Sequence, residues 1–175
     1  MSLGKEFTAK KWSVLALVIL IMVCFVFPVN AAEKRKFSIT TKVIGEPNRS
    51  VINLEDNPKH SLIQNASKRT MTSSNPDFNG MDVINFGQSD DIAGTGSHTG
   101  YSFYYHKNGD KVFTKYEGTH KTTVKEDKSW ETISAGKLEF IGGTGMFKNI
   151  KGGGPYKCFA TVNASGCDAD FEGEY

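Results

Sequence analysis

The sequence has little proline (five residues in 175), little cysteine (three residues) and no excess of charge of either sign. Each shortage excludes something. So little proline, beside 18 glycines and 11% aromatic residues, argues against a disordered chain and for short strands joined by tight turns. Lys5, Lys10 and Lys11 are three of the 21 basic residues and Glu6 is one of the 19 acidic ones, so residues 33–175 carry 18 of each. A neutral domain lacks the clustered positive field that nucleic acid or an anionic membrane surface needs, and neither is expected as a partner. No stretch after residue 32 repeats with helical periodicity, which speaks against a helical bundle.

The usual signatures of catalysis and metal binding are missing as well. The four histidines, His60, His98, His106 and His120, show no zinc-ligand spacing. Asp90 and Asp91 lack the flanking ligands of a calcium loop and read as part of a solvated loop from Gly87 to Gly100. Gly142-Gly143-Thr144-Gly145 has neither the Lys-Ser/Thr ending of a P-loop nor a following helix, and reads as a turn. No nucleophile elbow of the G-x-S-x-G kind is present. No metal and no cofactor are expected, and no catalytic residue can be assigned.

What is present begins with a leader. Three lysines precede an uncharged apolar run from Trp12 to Val29, and Ala31 and Ala32 follow. That is the pattern of a secretory signal peptide over residues 1–32, leaving 33–175 as a single domain that is secreted or periplasmic. The run approaches the length of a membrane span, so a retained anchor is the alternative. Pro28 and the small residues after it favour cleavage, with no stable membrane span afterwards. Export places Cys158 and Cys167 where disulfides persist. With Ala164-Ser165 as the hairpin loop they would lie about 13 Å apart, beyond the reach of a bond. With a loop centred on Val162-Asn163 they would face each other, and export favours that outcome.

Phe37, Ile39, Thr41 and Val43 alternate with Ser38, Thr40 and Lys42, a half-buried strand that Gly45-Glu46-Pro47-Asn48 is expected to end. Residues 50–79 are the least readable and are expected to form short strands between long loops. The clearest signal is Asn108-Gly109 between two aromatic, β-branched runs, which predicts a two-residue type I′ hairpin. In that register Tyr101, Phe103 and Tyr105 share the inner face with Val112, Thr114, Tyr116 and His120. Tyr104 and Phe113 pair outside, beside Lys111 and Lys115, as a candidate contact for a homo-oligomer. His120 next to Tyr116 is either a ligand-facing pair or a hydrogen-bonded core histidine, the second being the commoner case.

Leu138 to Gly152, LEFIGGTGMFKNIKG, resembles the G-G-T/S-G-x-F-x-x-x-x-G segment of plant allene oxide cyclases and dirigent proteins, and Gly100 to Tyr105 resembles the cyclases. The resemblance implies a mainly β fold, an eight-stranded antiparallel β-barrel of the allene oxide cyclase type with a lumen, often trimeric. It carries no catalytic residue across. A small apolar or amphipathic ligand is then expected in the lumen, against Tyr101, Phe103, Tyr105 and Tyr116 with His120 at one end. An isomerase or cyclase acting by pocket shape, and a structural barrel with a filled lumen, are the competing expectations.

Overall fold

Burial alternates from residue to residue along most of residues 34–175, the part of the chain that the computed structural model describes. The expected leader lies outside the described residues. Eight strands form: β1 (Arg35–Asn53), β2 (His60–Ser73), β3 (Asp82–Ile92), β4 (Thr95–Tyr105), β5 (Lys111–Val124), β6 (Trp130–Gly143), β7 (Lys151–Thr161) and β8 (Ser165–Glu174). Each pairs antiparallel with the next and β8 pairs with β1, so the sheet closes into a barrel with no free edge. The fold is the mainly β, eight-stranded antiparallel barrel that the sequence suggests.

Three stretches expected to be loops are strand. β1 runs through Gly45–Asn48 to Asn53, with its pairing to β2 shifting between Ile44 and Asn48. Such a bulge bends a strand without ending it. Residues 60–73 form one long strand instead of fragments. The Gly/Ser/Asp-rich stretch from Gly87 to Gly100 continues β3 and begins β4, with Ala93 and Gly94 at the turn, both at positive φ.

The hairpin between β4 and β5 is one residue longer than Asn-Gly predicts. His106 and Asp110 flank a three-residue loop: the His106 N–H donates to the Asp110 carbonyl and the Gly109 N–H to the His106 carbonyl, both at 2.9 Å. Gly109 has φ of +94° and Asn108 is not left-handed, which fits a type I turn followed by a glycine bulge and not a type I′ turn. Asp110 holds this geometry by accepting from Asn108 Nδ2 at 3.0 Å and from the Met146 N–H at 3.1 Å. Tyr105 therefore pairs with Lys111 and Tyr104 with Val112. A one-residue slip turns a whole strand over. Tyr104 is inside and 3% exposed, whereas Tyr101 is outside and 46% exposed.

One end of the barrel is stopped with aromatic rings. The β2–β3 connection carries Phe78 across that end, and the turn after β6, with its short 3-10 segment Gly145–Phe147, carries Phe147. Phe78 packs 4.7 Å from Phe37, 5.2 Å from Phe147, 5.9 Å from Tyr175 and 6.0 Å from Phe140, ring centre to ring centre. The crossing segment is latched to the last residue: the Tyr175 hydroxyl donates to Asp77 Oδ2 and accepts from Asn75 Nδ2, each at 2.8 Å. Near the opposite end, Cys158 and Cys167 are cross-strand partners and are bonded, the β7–β8 turn being centred on Val162-Asn163.

Phe78→Ala and Tyr104→Ala are each expected to cost about 3–5 kcal/mol by urea unfolding, and Tyr101→Ala less than about 1 kcal/mol. Equal losses at Tyr101 and Tyr104 would contradict the register.

Candidate functional site

Above the aromatic plug the barrel is hollow, with a cavity of about 380 Å³ reaching toward the β1–β2, β3–β4, β5–β6 and β7–β8 turns. Its size falls within the range of small-molecule sites. Ile39, Val83, Leu138 and Phe171 line its lower wall, while Trp130 and Ala160 line the wall near the turns. Between them the wall is polar, and that band is the candidate site.

Glycines make room for its two central phenols. A side chain at Gly87 would meet the Tyr116 hydroxyl at 2.5 Å, and one at Gly100 would collide with the Tyr116 ring. Added Cβ atoms at Gly118 and Gly136 would each stand 2.7 Å from the Tyr156 hydroxyl. The bare backbone of β3–β4 and β5–β6 therefore lets each tyrosine lie against the wall instead of crossing the lumen. The Tyr116 hydroxyl donates toward the Phe86 carbonyl at 3.2 Å and Asn85 Oδ1 at 3.3 Å. Asn85 Nδ2 in turn donates to Ser102 Oγ at 2.9 Å.

Two histidines face this band. His120 Nε2 donates to Asp91 Oδ2 at 2.7 Å, and its Nδ1 is sealed from solvent with no hydrogen-bond partner among the described residues. His98 Nε2 is hydrogen-bonded to the Tyr156 hydroxyl, and the His98 ring centre lies 5.8 Å from that of His120 and 6.1 Å from that of Tyr116. Burial, reinforced by the neighbouring His120, holds the His98 imidazole down at about 4, so it is neutral at physiological pH. Burial pushes the Tyr116 and Tyr156 phenols up, and both stay protonated. The band thus offers neutral donors and acceptors together with one Asp–His pair.

Arg69 stands on the inner face of β2. Its Nε donates to Ser67 Oγ at 3.3 Å, and its Nη1 reaches Cys167 Sγ at 2.9 Å and Thr41 Oγ1 at 3.5 Å. All three acceptors are neutral. Burial lowers its pKa from the ordinary guanidinium value, the phenols of Tyr116 and Tyr104 opposing.

Of the residues the sequence nominates, Tyr116 and His120 line the lumen. Tyr101, Phe103 and Tyr105 do not: the slipped hairpin register turns them outward. The same slip separates the proposed contact pair, because Tyr104 points into the barrel while Phe113 stays outside. Phe113 instead packs 5.8 Å from Phe103, which packs 5.8 Å from Phe86. Asp91 and His98, assigned above to a solvated loop, are inward strand residues, while Asp90 contacts His60 Nε2 at 2.7 Å. Arg69, Asn85 and Tyr156 are further lumen residues that sequence reasoning missed. The glycines paired across β3–β4 and β5–β6 were the available signal for the tyrosines.

No family model matches the sequence, and no curated protein matches it. Among solved structures, the chain is similar to a pterocarpan synthase dirigent protein at 14% identity, over 86% of this chain and 93% of that one, with a TM-score of 0.48.

A histidine whose folded pKa of about 4 lies below its unfolded value of 6.5 binds its proton more readily when unfolded. Its contribution to stability is present above pH 6.5 and is lost as pH falls from there toward 4. Imidazole proton resonances of His98 are expected to titrate near 4, and His98→Gln is expected to flatten the decline of the urea midpoint over that window. A His98 midpoint near 6.5 would contradict the burial described here.

Proposed function

We propose that the barrel is the exported part of the chain and that its lumen binds a small apolar or amphipathic molecule. The open cavity carries this reading. It has aromatic and aliphatic walls, a band of directed polar groups, a closed floor and a mouth among four turns. A purely structural barrel gains most by filling its interior, since packed interiors leave few voids larger than a water molecule. Here two large tyrosines are instead held against the wall by glycines that make room for them. Export is supported by the charge and apolar pattern of residues 1–32.

An isomerase or cyclase is the second reading, favoured by the Asp91–His120 pair and by the hydrogen bond between His98 and Tyr156. The Asp91–His120 pair and the His98–Tyr156 hydrogen bond fix polar groups around the space, and the surrounding wall holds a bound molecule in one conformation, which is what catalysis by pocket shape requires. Conversion of a bound unsaturated molecule that is lost in His120→Ala and Tyr116→Phe, with binding retained, would favour the enzyme over the carrier.

N-phenyl-1-naphthylamine, a neutral fluorescent apolar probe, is expected to bind the purified protein saturably at about one per chain. Ser134→Phe, which places a ring in the cavity, is expected to weaken binding at least tenfold. Native mass spectrometry is expected to show a retained small molecule in gently purified protein. No saturable probe binding and no retained molecule would overturn the proposal.

A further inference from the structure

The charges that line the cavity are unevenly distributed. Arg49 and Arg69 are its cationic side chains, and Asp91 is the one carboxylate among the described lining residues. Asp91 is already engaged by His120. No carboxylate among the described residues lies within ion-pairing distance of Arg69, whose protein contacts are two hydroxyls and a disulfide sulfur.

A guanidinium carries five donors, and a disulfide sulfur is a weak acceptor for any of them. The contacts to Ser67, Thr41 and Cys167 use Nε and Nη1. The other terminal nitrogen, Nη2, has no hydrogen-bond partner among the described residues and is not sealed from the lumen. A charge withdrawn from bulk water with only neutral partners is costly, and the cost is relieved by an anion. The two remaining N–H donors on Nη2, together with the unpaired charge, match an anionic acceptor such as a carboxylate oxygen.

The position of Arg69 sets the orientation of such a ligand. Its strand neighbours are Val83 on β3 and Val43 on β1, and its guanidinium reaches Ser67, Thr41 and Cys167 Sγ, so it stands in the lumen wall between the apolar layer over the plug and the disulfide. The wall farther toward the mouth offers Ile63 and Trp130. Two cationic side chains, Arg69 and Arg49, against the single Asp91 carboxylate leave the lining one positive charge in excess, which favours a single negative charge over a dianion.

We propose that the lumen is selective for organic monoanions: a carboxylate seated on Arg69, with an apolar body extending past the tyrosines toward Trp130. This rests on the reading of the lumen as a binding site and specifies the chemical class that it takes.

The test compares 6-phenylhexanoate with the matched neutral amide, 6-phenylhexanamide, by isothermal titration calorimetry at pH 7.5. The wild-type protein is expected to bind the carboxylate at least tenfold more tightly. Arg69→Met is expected to reduce that preference below threefold while still binding the amide, and Arg69→Lys to keep part of it. Thermal unfolding of each variant checks that the barrel is intact, and the wild-type comparison decides the question even if Arg69→Met does not fold. Equal binding of acid and amide by the wild type would overturn the anion assignment and leave the lumen as a neutral-ligand site. A preference that survives in folded Arg69→Met would overturn the role of Arg69. Failure of both compounds and of N-phenyl-1-naphthylamine to bind would remove the lumen reading itself.

Discussion

The structure depends on the packing of Phe78 across one end of the barrel. An eight-stranded barrel is wide enough to hold a row of side chains or a small ligand, and nothing in strand pairing alone decides which. Phe78 decides it locally by meeting Phe37, Phe140, Phe147 and Tyr175 in a single aromatic cluster. That cluster concentrates the largest apolar side chains at one end and gives the barrel a dry floor. The rest of the interior is then free to be polar and open, so stability and function occupy different levels of one fold.

The middle level depends on what is left out. Glycine is unfavourable in a strand because it has no side chain to pack and loses more backbone entropy on ordering. Here it is placed where a methyl group would strike Tyr116 or Tyr156. The result is a wall in which phenols, imidazoles and amides are held at fixed positions around an unfilled space. Such preorganisation lowers the ordering cost of binding, because the polar groups are already held in place along the wall and need not be gathered by the ligand.

The sequence revealed the class of fold and the outward face of β5, because Lys115, Glu117 and Lys121 alternate there with buried or half-buried residues. It concealed β2 and the glycine-rich parts of β3 and β4 for a physical reason. Alternation marks a strand only when one face is apolar and the other polar, and a polar lumen removes the contrast. On β2 the inward Asn65, Ser67 and Arg69 are as hydrophilic as the outward Gln64, Lys68 and Thr70. The hairpin misled for a different reason. Asn-Gly suits both the two-residue turn and the three-residue turn with a glycine bulge, and the choice was made by Asp110, whose carboxylate holds the Met146 N–H from a distant turn. Local sequence does not contain that contact. It moved Tyr101, Phe103 and Tyr105 out of the site and brought in His98 and Tyr104.

The central claim is that the hollow above the plug is where a ligand sits. It is tested most directly by amide chemical-shift mapping of isotopically labelled protein during titration with N-phenyl-1-naphthylamine. The account predicts shifts concentrated at cavity-lining positions such as Trp130, Ser134, Tyr156 and Ala160, with Phe86, Phe103 and Phe113 on the outer wall unmoved. Shifts centred on that outer aromatic stripe, with the lumen residues silent, would contradict it.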